Sequence, residues 1–423
     1  MDIKRWGLLS VILSRGRKLH NVEPDIKTKI YLRQALLSSG EFTCEAVINT
    51  PSGQIFESSP QGLTLGLNEA SLLTSHKGKD ISFLNDDISI FDLSQEIFDE
   101  VISSNITSQI TTALSLVFLK YRAHVANFSD SRLFSFISKE YKTEISLPVP
   151  IFNILNGGKH AGNGLEFCEF MIIPKGTSVH ESIRIASEVY SDLHTIIKND
   201  LGMKHTLVGR EGGFAPDISN IHTALELIVE AINIRNRDTC NLAIDVAANN
   251  FSEKKSFQGG MVFEYSIGGE KYSSTELVAY YKDLLNKFPH IVYLEDVAHE
   301  EDIDTWVKLK SEYGKDILIV GDDLTVTNIH YLEKYKDCIN ACILKVNQVG
   351  TFSDLIKAYL FCKTNGIIPI ISQRSGETDS NIIAHIATGL GSDYIKAGAP
   401  ARERIVKYNT LLRLEDEFFY DNK

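Results

Sequence analysis

The sequence predicts an α/β fold, a β/α barrel carrying a smaller α+β domain at its amino-terminal end. Three observations predict it. Short apolar runs recur through the second half of the chain, each ending in a charged or polar residue. LAID ends at Asp245, IVYLED carries Glu295, ILIVGDD carries Asp322 and Asp323, ACILK ends at Lys345, IIPIISQRS presents Ser372 to Ser375, and DYIK ends at Lys396. From Glu295 onward these ends fall at Asp322, Lys345, Gln373 and Lys396, spaced 27, 23, 28 and 23 residues apart. That is the length of one strand, one crossover helix and two short loops. Finally, the 423 residues, 43% hydrophobic and 23% charged, exceed what one barrel of about 250 residues needs and leave room for a partner domain. Continuous apolar runs mark parallel strands buried on both faces, and a charge at the carboxyl end of each equips one rim of such a barrel for chemistry.

Residues 1–26 read as an appended arm. The start, MDIKRWGLLSVILSRGRKLH, is basic and amphipathic, with Trp6, Leu8, Leu9, Val11, Ile12 and Leu13 flanked by Lys4, Arg5, Arg15, Arg17 and Lys18. Ser14-Arg15-Gly16-Arg17 supplies no small-residue cleavage site, which argues against a secretory signal. An organellar transit segment and a membrane-surface helix stay open, behind a helix docked on the protein's own surface or on a second subunit.

From Lys27 the texture changes to KIYLRQALL, FTCEAVINT and QIFESS, with Pro51 and Gly53 where a hairpin turn needs them. SPQGLTLGLNEAS (59–71) reads as a mobile lid. LSQEIFDEVISS and ITSQITTALSLVFLKYRAHVA carry helical periodicity, the second as a buried helix. Residues 27–140 therefore form the α+β domain and 141–423 the barrel. The barrel opens with LPVPIFNILNGGKHAGNG, a strand running into a sharp turn at Asn156-Gly157-Gly158 and on to His160. EFMIIP (169–174) is a strand ended by Pro174, and HESIRIASEVYSDLHTIIKNDL an amphipathic helix. VGREGGFAP sets Glu211 among turn glycines, and ISNIHTALELIVEAINI is the next helix. Strand–helix alternation then continues to a terminal helix near 402–418.

Composition excludes several classes. A net charge of −12 without a basic stripe argues against nucleic acid. No apolar run reaches the roughly 18 residues that cross a bilayer. Cysteines at 44, 168, 240, 338, 342 and 362 make no CxxC pair, so zinc is disfavoured and a reducing cytoplasm is the expected compartment. The Gly-Gly pairs form neither GxGxxG nor a P-loop.

Asp245, Glu295 and Asp322, gathered at one rim, would repel one another unless a hard divalent cation sat among them, and oxygen-only ligands favour Mg²⁺. Lys345 and Lys396 follow on neighbouring strands; one lysine beside a dication can act as a base while the other binds an anionic substrate. Arg374 and Ser375 suit a phosphate or carboxylate. The implied chemistry is proton abstraction next to a carboxylate, the metal stabilising the resulting dianion. Any one of these acids alone would more simply be a helix cap; the regular series is what argues for a site.

At these residues the sequence resembles the enolase family, the 2-phosphoglycerate dehydratases, over about 27–420. The resemblance rests on LPVPIFNILNGGKHAGN, EFMIIP, VGREGGFAP, LAIDVAANNF, YLEDVAHEEDIDTW, VGDDLTVTN, ILKVNQVGT, SQRSGET and IKAGAPARERIVKYNTLLRLEDE. It implies an enolase-type β/α barrel capped by an amino-terminal α+β domain, in a homodimer. It implies that Asp245, Glu295 and Asp322 hold Mg²⁺, that Lys345 removes the C2 proton, and that Glu211, with Glu169 nearby, assists loss of the C3 hydroxyl. By the same resemblance Lys396 contacts the substrate carboxylate, Arg374 and Ser375 its phosphate, and His160 sits in the closing region. SPQGLTLG aligns with the family's PSGASTG lid, placing Thr64 at a second Mg²⁺. Five residues depart from the family pattern: Gln373 stands for a histidine, Arg210 for an acid beside Glu211, Thr64 for the lid serine, Cys168 for a glutamine and Ser39 for an arginine. Gln373 cannot carry a proton, and Arg210 is expected to favour ionised Glu211. Three functions follow: the standard dehydration in glycolysis, a divergent paralogue acting on a related phosphorylated or phosphonate acid, and a weakly active binding protein. Intact Lys345 and the three carboxylates argue against the last.

Overall fold

Apolar runs become barrel staves here because both of their faces find cover. In a computed structural model that describes residues 28–62, 81, 83–86, 88–103, 108–235, 239–257 and 260–421, eight strands close into a barrel. They are β4 (Val149–Asn156), β5 (Glu169–Pro174), β6 (Cys240–Asp245), β10 (Ile291–Glu295), β11 (Leu318–Gly321), β12 (Ala341–Leu344), β13 (Ile368–Ser372) and β14 (Tyr394–Lys396). Their inward side chains, among them Ile151, Met171, Tyr293, Val320, Ile343 and Ile370, fill the barrel and leave no channel. Their outward side chains pack on a ring of helices, including Val179–Asp200, Ile221–Asn233, Phe352–Thr364 and Ile405–Asp421. Ser178 caps the first of these by accepting from the Glu181 amide, and Asn220 caps the second.

The strand order is β10-β11-β12-β13-β14-β4-β5-β6, all parallel except β5, which runs antiparallel to both β4 and β6. That reversal is decisive for the site. Register aligns Asn156 with Glu169, Glu169 with Asp245, and Asp245 with Glu295. Across the barrel Ser372 is level with Lys396. The last residues of β4, β6, β10, β13 and β14 therefore share a rim with the first residue of β5.

The amino-terminal part is an antiparallel meander, β1 (Lys29–Leu36), β2 (Phe42–Thr50) and β3 (Gly53–Ser58), turned at Gly53 as its φ of +141° allows. Its inner face packs on the helices Gln95–Ser103 and Ser108–Val125, through Ile30, Ala46, Ile48, Phe98 and Phe118. These helices rest on the barrel through Leu116, Leu119 and Ala123, which join its outer core, and through polar contacts. Asp99 accepts from the Ser353 amide at 3.0 Å and Thr112 donates to the Gly350 carbonyl at 3.1 Å. A bridge pairs Gln61 with Gly376 at the rim.

The alternation expected to continue from Asp245 is interrupted. A second meander, β7 (Ser252–Phe257), β8 (Gly260–Ile267) and β9 (Glu270–Ser273), lies between β6 and the helix Ser274–Lys287. Its strands mix charged and apolar residues because one face is open, so they lack the continuous apolar signal of the staves. The arm 1–26, and Thr64 with the rest of the predicted lid from 63 to 71, lie outside the described residues. All six cysteines are buried and none is joined in a disulfide.

Candidate active site

The charged rim opens into a cavity of about 590 Å³ lined by His160, Cys168, Glu169, Glu211, Asp245, Asp322, Lys345, Gln373, Arg374, Ser375 and Lys396. Every sequence-predicted site residue among those described is there except Glu295, which is fully buried just below and joined to the cavity through Lys396.

Lys396 is the hub. Its Nζ lies 3.2 Å from Asp245 Oδ2, 2.8 Å from Glu295 Oε2 and 3.1 Å from Glu169 Oε2. Burial alone would depress this ammonium, but Glu169, Glu295 and Asp245 outweigh it and raise it well above the ordinary lysine value. The carboxylates are still in excess. Burial, then Asp245, pushes Glu295 up to about 8; its Oε2 also accepts from the Tyr293 hydroxyl inside the barrel. Burial likewise raises Asp245 to about 6, Glu169 and Asp322 adding to it against the pull of Lys396. Asp245 Oδ1 is buried without a hydrogen-bond partner.

Asp322 belongs to a different sub-cluster. Its Oδ2 pairs with Lys345 Nζ and its Oδ1 accepts from Gln348 Nε2 at 3.0 Å. Lys345 was expected to be depressed by a dication. In the protein alone burial does oppose its charge, but Asp322 prevails and its pKa rises. The turn after β11 is held by Asp296, whose buried carboxylate accepts from the Asp322 and Asp323 amides at 3.0 and 2.9 Å.

The opposite wall carries His160, Glu169 and Glu211. His160 Nδ1 is 3.5 Å from Glu169 Oε1, and Asn153 Nδ2 donates to Glu211 Oε2 at 3.2 Å. Burial would lift Glu211; His160, Arg404 and Lys396 outweigh it and bring it to about 2. Burial would lower His160, yet Glu169 and Glu211 raise it to about 9. Gly158 makes the turn, at φ +51°, where a Cβ would stand 2.7 Å from Cys168 Sγ.

The expectation about Arg210 is corrected. Its side chain is exposed, and the ionisation of Glu211 comes from His160, Arg404, Lys396 and Asn153. Consecutive residues of a tight turn point in different directions, so adjacency in sequence does not become proximity of charge. Arg404, absent from the sequence reading, is fully buried and organises this wall. It donates to Gln373 Oε1 and the Arg374 carbonyl at 2.8 Å, the Ser375 carbonyl at 2.7 Å and the Arg210 carbonyl at 3.1 Å. Asn153, Asp296, Gln348 and Arg404 were all missed. The available signals were single polar residues inside apolar or turn segments, as in PIFNILN.

Residues 144–422 match the family model for the enolase C-terminal TIM barrel domain. The chain is 36% identical to an enolase of Methanosarcina mazei, over 92% of this chain and 94% of that one. It is 35% identical to enolase B of Dictyostelium discoideum, with the same coverage. It is 37% identical to an enolase of Sulfurisphaera tokodaii, over 92% of this chain and 95% of that one. The chain belongs to the enolase family. It is accordingly an enzyme, a lyase.

Within that family frame the residues present fit a divalent metal. The donors are hard oxygens, carboxylates outnumber the ammonium groups, and the buried, unpartnered Asp245 Oδ1 is an open ligand position. Among the described residues, the trios whose ligand atoms all lie within 4.8 Å of one another are His160–Glu169–Glu211 and Asp296–Asp322–Asp323. Asp245, Glu295 and Asp322 do not form such a trio: Lys396 takes up the first two and Lys345 the third. Of the departures from the family pattern, Gln373 is buried with its Oε1 on Arg404, Cys168 is a buried thiol that burial pushes far up, and Ser39 is exposed.

Proposed function

We propose that this enzyme dehydrates 2-phospho-D-glycerate to phosphoenolpyruvate with Mg²⁺, as a cytoplasmic homodimer serving glycolysis. The observation that carries the reading is the division of one cavity into two walls. One wall has Lys345 paired with Asp322, beside Arg374 and Ser375; the other has Glu211, Glu169 and His160; Lys396 lies between them among carboxylates. A substrate bearing a phosphate and a carboxylate on the same carbon supplies the anions that these cations need. Bound by Asp245, Glu295 and Asp322, Mg²⁺ would supply positive charge for the carboxylate dianion, with Thr64 contributing to a second ion.

Lys345, once deprotonated, takes the C2 proton. Arg374 and Ser375 hold the phosphate and Lys396 the carboxylate, which fixes C2 in front of Lys345. The C3 hydroxyl leaves as water, taking its proton from the cluster of Glu211, Glu169 and His160, in which Glu169 is raised by burial and Glu211. His160, raised to about 9, keeps a proton beside them at neutral pH. Gln373 accepts from Arg404 through Oε1, which leaves its Nε2 to donate to substrate, but it cannot itself exchange a proton.

The test is absorbance of phosphoenolpyruvate formed from 2-phosphoglycerate with Mg²⁺. Turnover is expected, and Lys345→Ala should lower it by at least about 100-fold, the least that a general base contributes. A wild type that forms no product, with turnover appearing in Gln373→His, would overturn the standard reaction. C2-proton exchange without dehydration would favour the divergent-paralogue reading, which Gln373 supports. Light scattering tests the homodimer.

A further inference from the structure

Val326 and Thr327 sit at φ +41° and +59°. Both are β-branched, and such residues adopt left-handed backbone only at a cost, which concentrates at functional sites. Both are fully buried or nearly so, and the strain sets the Thr327 hydroxyl at one point. There it accepts from the Lys345 backbone amide at 2.9 Å. Its proton is then directed to Gln348 Oε1, 2.5 Å away. Because Oε1 faces Thr327, the Gln348 amide presents Nε2 to Asp322 Oδ1, at 3.0 Å. Asp322 Oδ2 is left to meet Lys345 Nζ. The chain of contacts leaves Lys345 by its backbone and returns to it at its ammonium.

We propose that Thr327 and Gln348 are positioning residues for the base: they fix the rotation of the Asp322 carboxylate and so the place of Lys345 Nζ. The Thr327 hydroxyl has a second acceptor in the Ile343 carbonyl at 3.4 Å, but Gln348 Oε1 at 2.5 Å is far nearer and takes its proton. An amide N–H can only donate, so Thr327 Oγ1 accepts there, and its single proton orders Gln348. Neither residue needs to touch substrate for this. The proposal rests on Lys345 being the base that takes the C2 proton.

The test uses near-isosteric variants of the full chain, Thr327→Val and Gln348→Met, with Thr327→Ser as the conservative control. Two measurements are made: exchange of the 2-phosphoglycerate C2 proton with deuterated solvent, and crystal structures of the variants. The exchange rate is expected to fall by about 100-fold in Thr327→Val and Gln348→Met, as for a misplacement of about 1 Å, with KM unchanged. Thr327→Ser should restore most of the rate. The crystal structures should show the Asp322 carboxylate turned and its contact with Lys345 lost. Unchanged exchange, a rise in KM in place of the fall in rate, or Thr327→Ser no better than Thr327→Val would overturn the proposal. A wild type that exchanges no C2 proton would overturn the assignment of Lys345 instead. The crystal structures still decide: an Asp322–Lys345 contact preserved in Gln348→Met refutes the positioning role whatever the reaction.

Discussion

Gly62 and Arg374 make a sharp test of the anion-binding wall. A Cβ on Gly62 would stand 1.6 Å from Arg374 Nη2 and 2.6 Å from Cζ. Unbonded heavy atoms need about 3.5 Å, so Gly62→Ala must displace the guanidinium by roughly 2 Å. Arg374 Nη1 also gives up its 3.1 Å bond to Asn347 Oδ1. The moving atoms are the far end of a flexible side chain, so the fold should lose about 1.5–3 kcal/mol, the worth of one hydrogen bond from a charged group. A displaced guanidinium loses its charge-assisted bonds to phosphate, worth about 1.5–3 kcal/mol, or roughly 10- to 100-fold in KM. The assay is steady-state kinetics beside thermal melting, with Arg374→Ala and the double variant. If the reasoning holds, Gly62→Ala raises KM, melts within a few degrees of the wild type, and adds nothing in the Arg374→Ala background. An unchanged KM, or full additivity in the double variant, would refute it.

Two further outcomes follow from buried charge. Lys396→Met leaves Asp245, Glu295 and Glu169 without their shared cation, so stability at pH 8 should drop by about 3–5 kcal/mol, as when one partner of a buried pair is removed; urea unfolding should show the loss shrinking as pH falls and the carboxyls take up protons. His385 lies buried against Phe134, and burial, then Lys120, lowers it to about 4. Its folded value lies below the ordinary 6.5, so the unfolded chain binds more protons between these values. Stability is therefore complete above pH 6.5 and erodes by about 1.4 kcal/mol per unit as pH falls toward 4; a His385→Leu variant whose stability falls as steeply over that range as the wild type's would contradict this.

The barrel was legible because parallel staves must be apolar along their length, and because each ended in a residue of a different kind. Asp322, Lys345 and Lys396 were found from spacing. Glu169 could not be found that way. It begins its strand, and only the antiparallel course of β5, with the register Asn156–Glu169–Asp245–Glu295, brings it to the rim. The family resemblance supplied it. Arg404 and Gln348 were illegible for another reason: their importance lies in which way a side chain leaves a turn, and no periodicity records that. The β7–β9 meander escaped because an open-faced sheet lacks the apolar continuity used to find the rest.

The reversed strand has a mechanical consequence. At this rim β10 to β14 hand the chain to outer helices and β6 hands it to the β7–β9 meander, so none of these loops runs directly into a neighbouring stave. Residues 157–168 are different: they leave one stave and enter the next, with both ends riveted to the sheet. An arch pinned at both feet cannot swing outward as a hinged flap can. His160, carried on that arch, is thereby kept in step with Glu169. On the opposite bank Ser59 to Gly62 descends from the amino-terminal meander and is stitched to the barrel by the Gln61–Gly376 bridge and by the Asn347 bond to the Pro60 carbonyl.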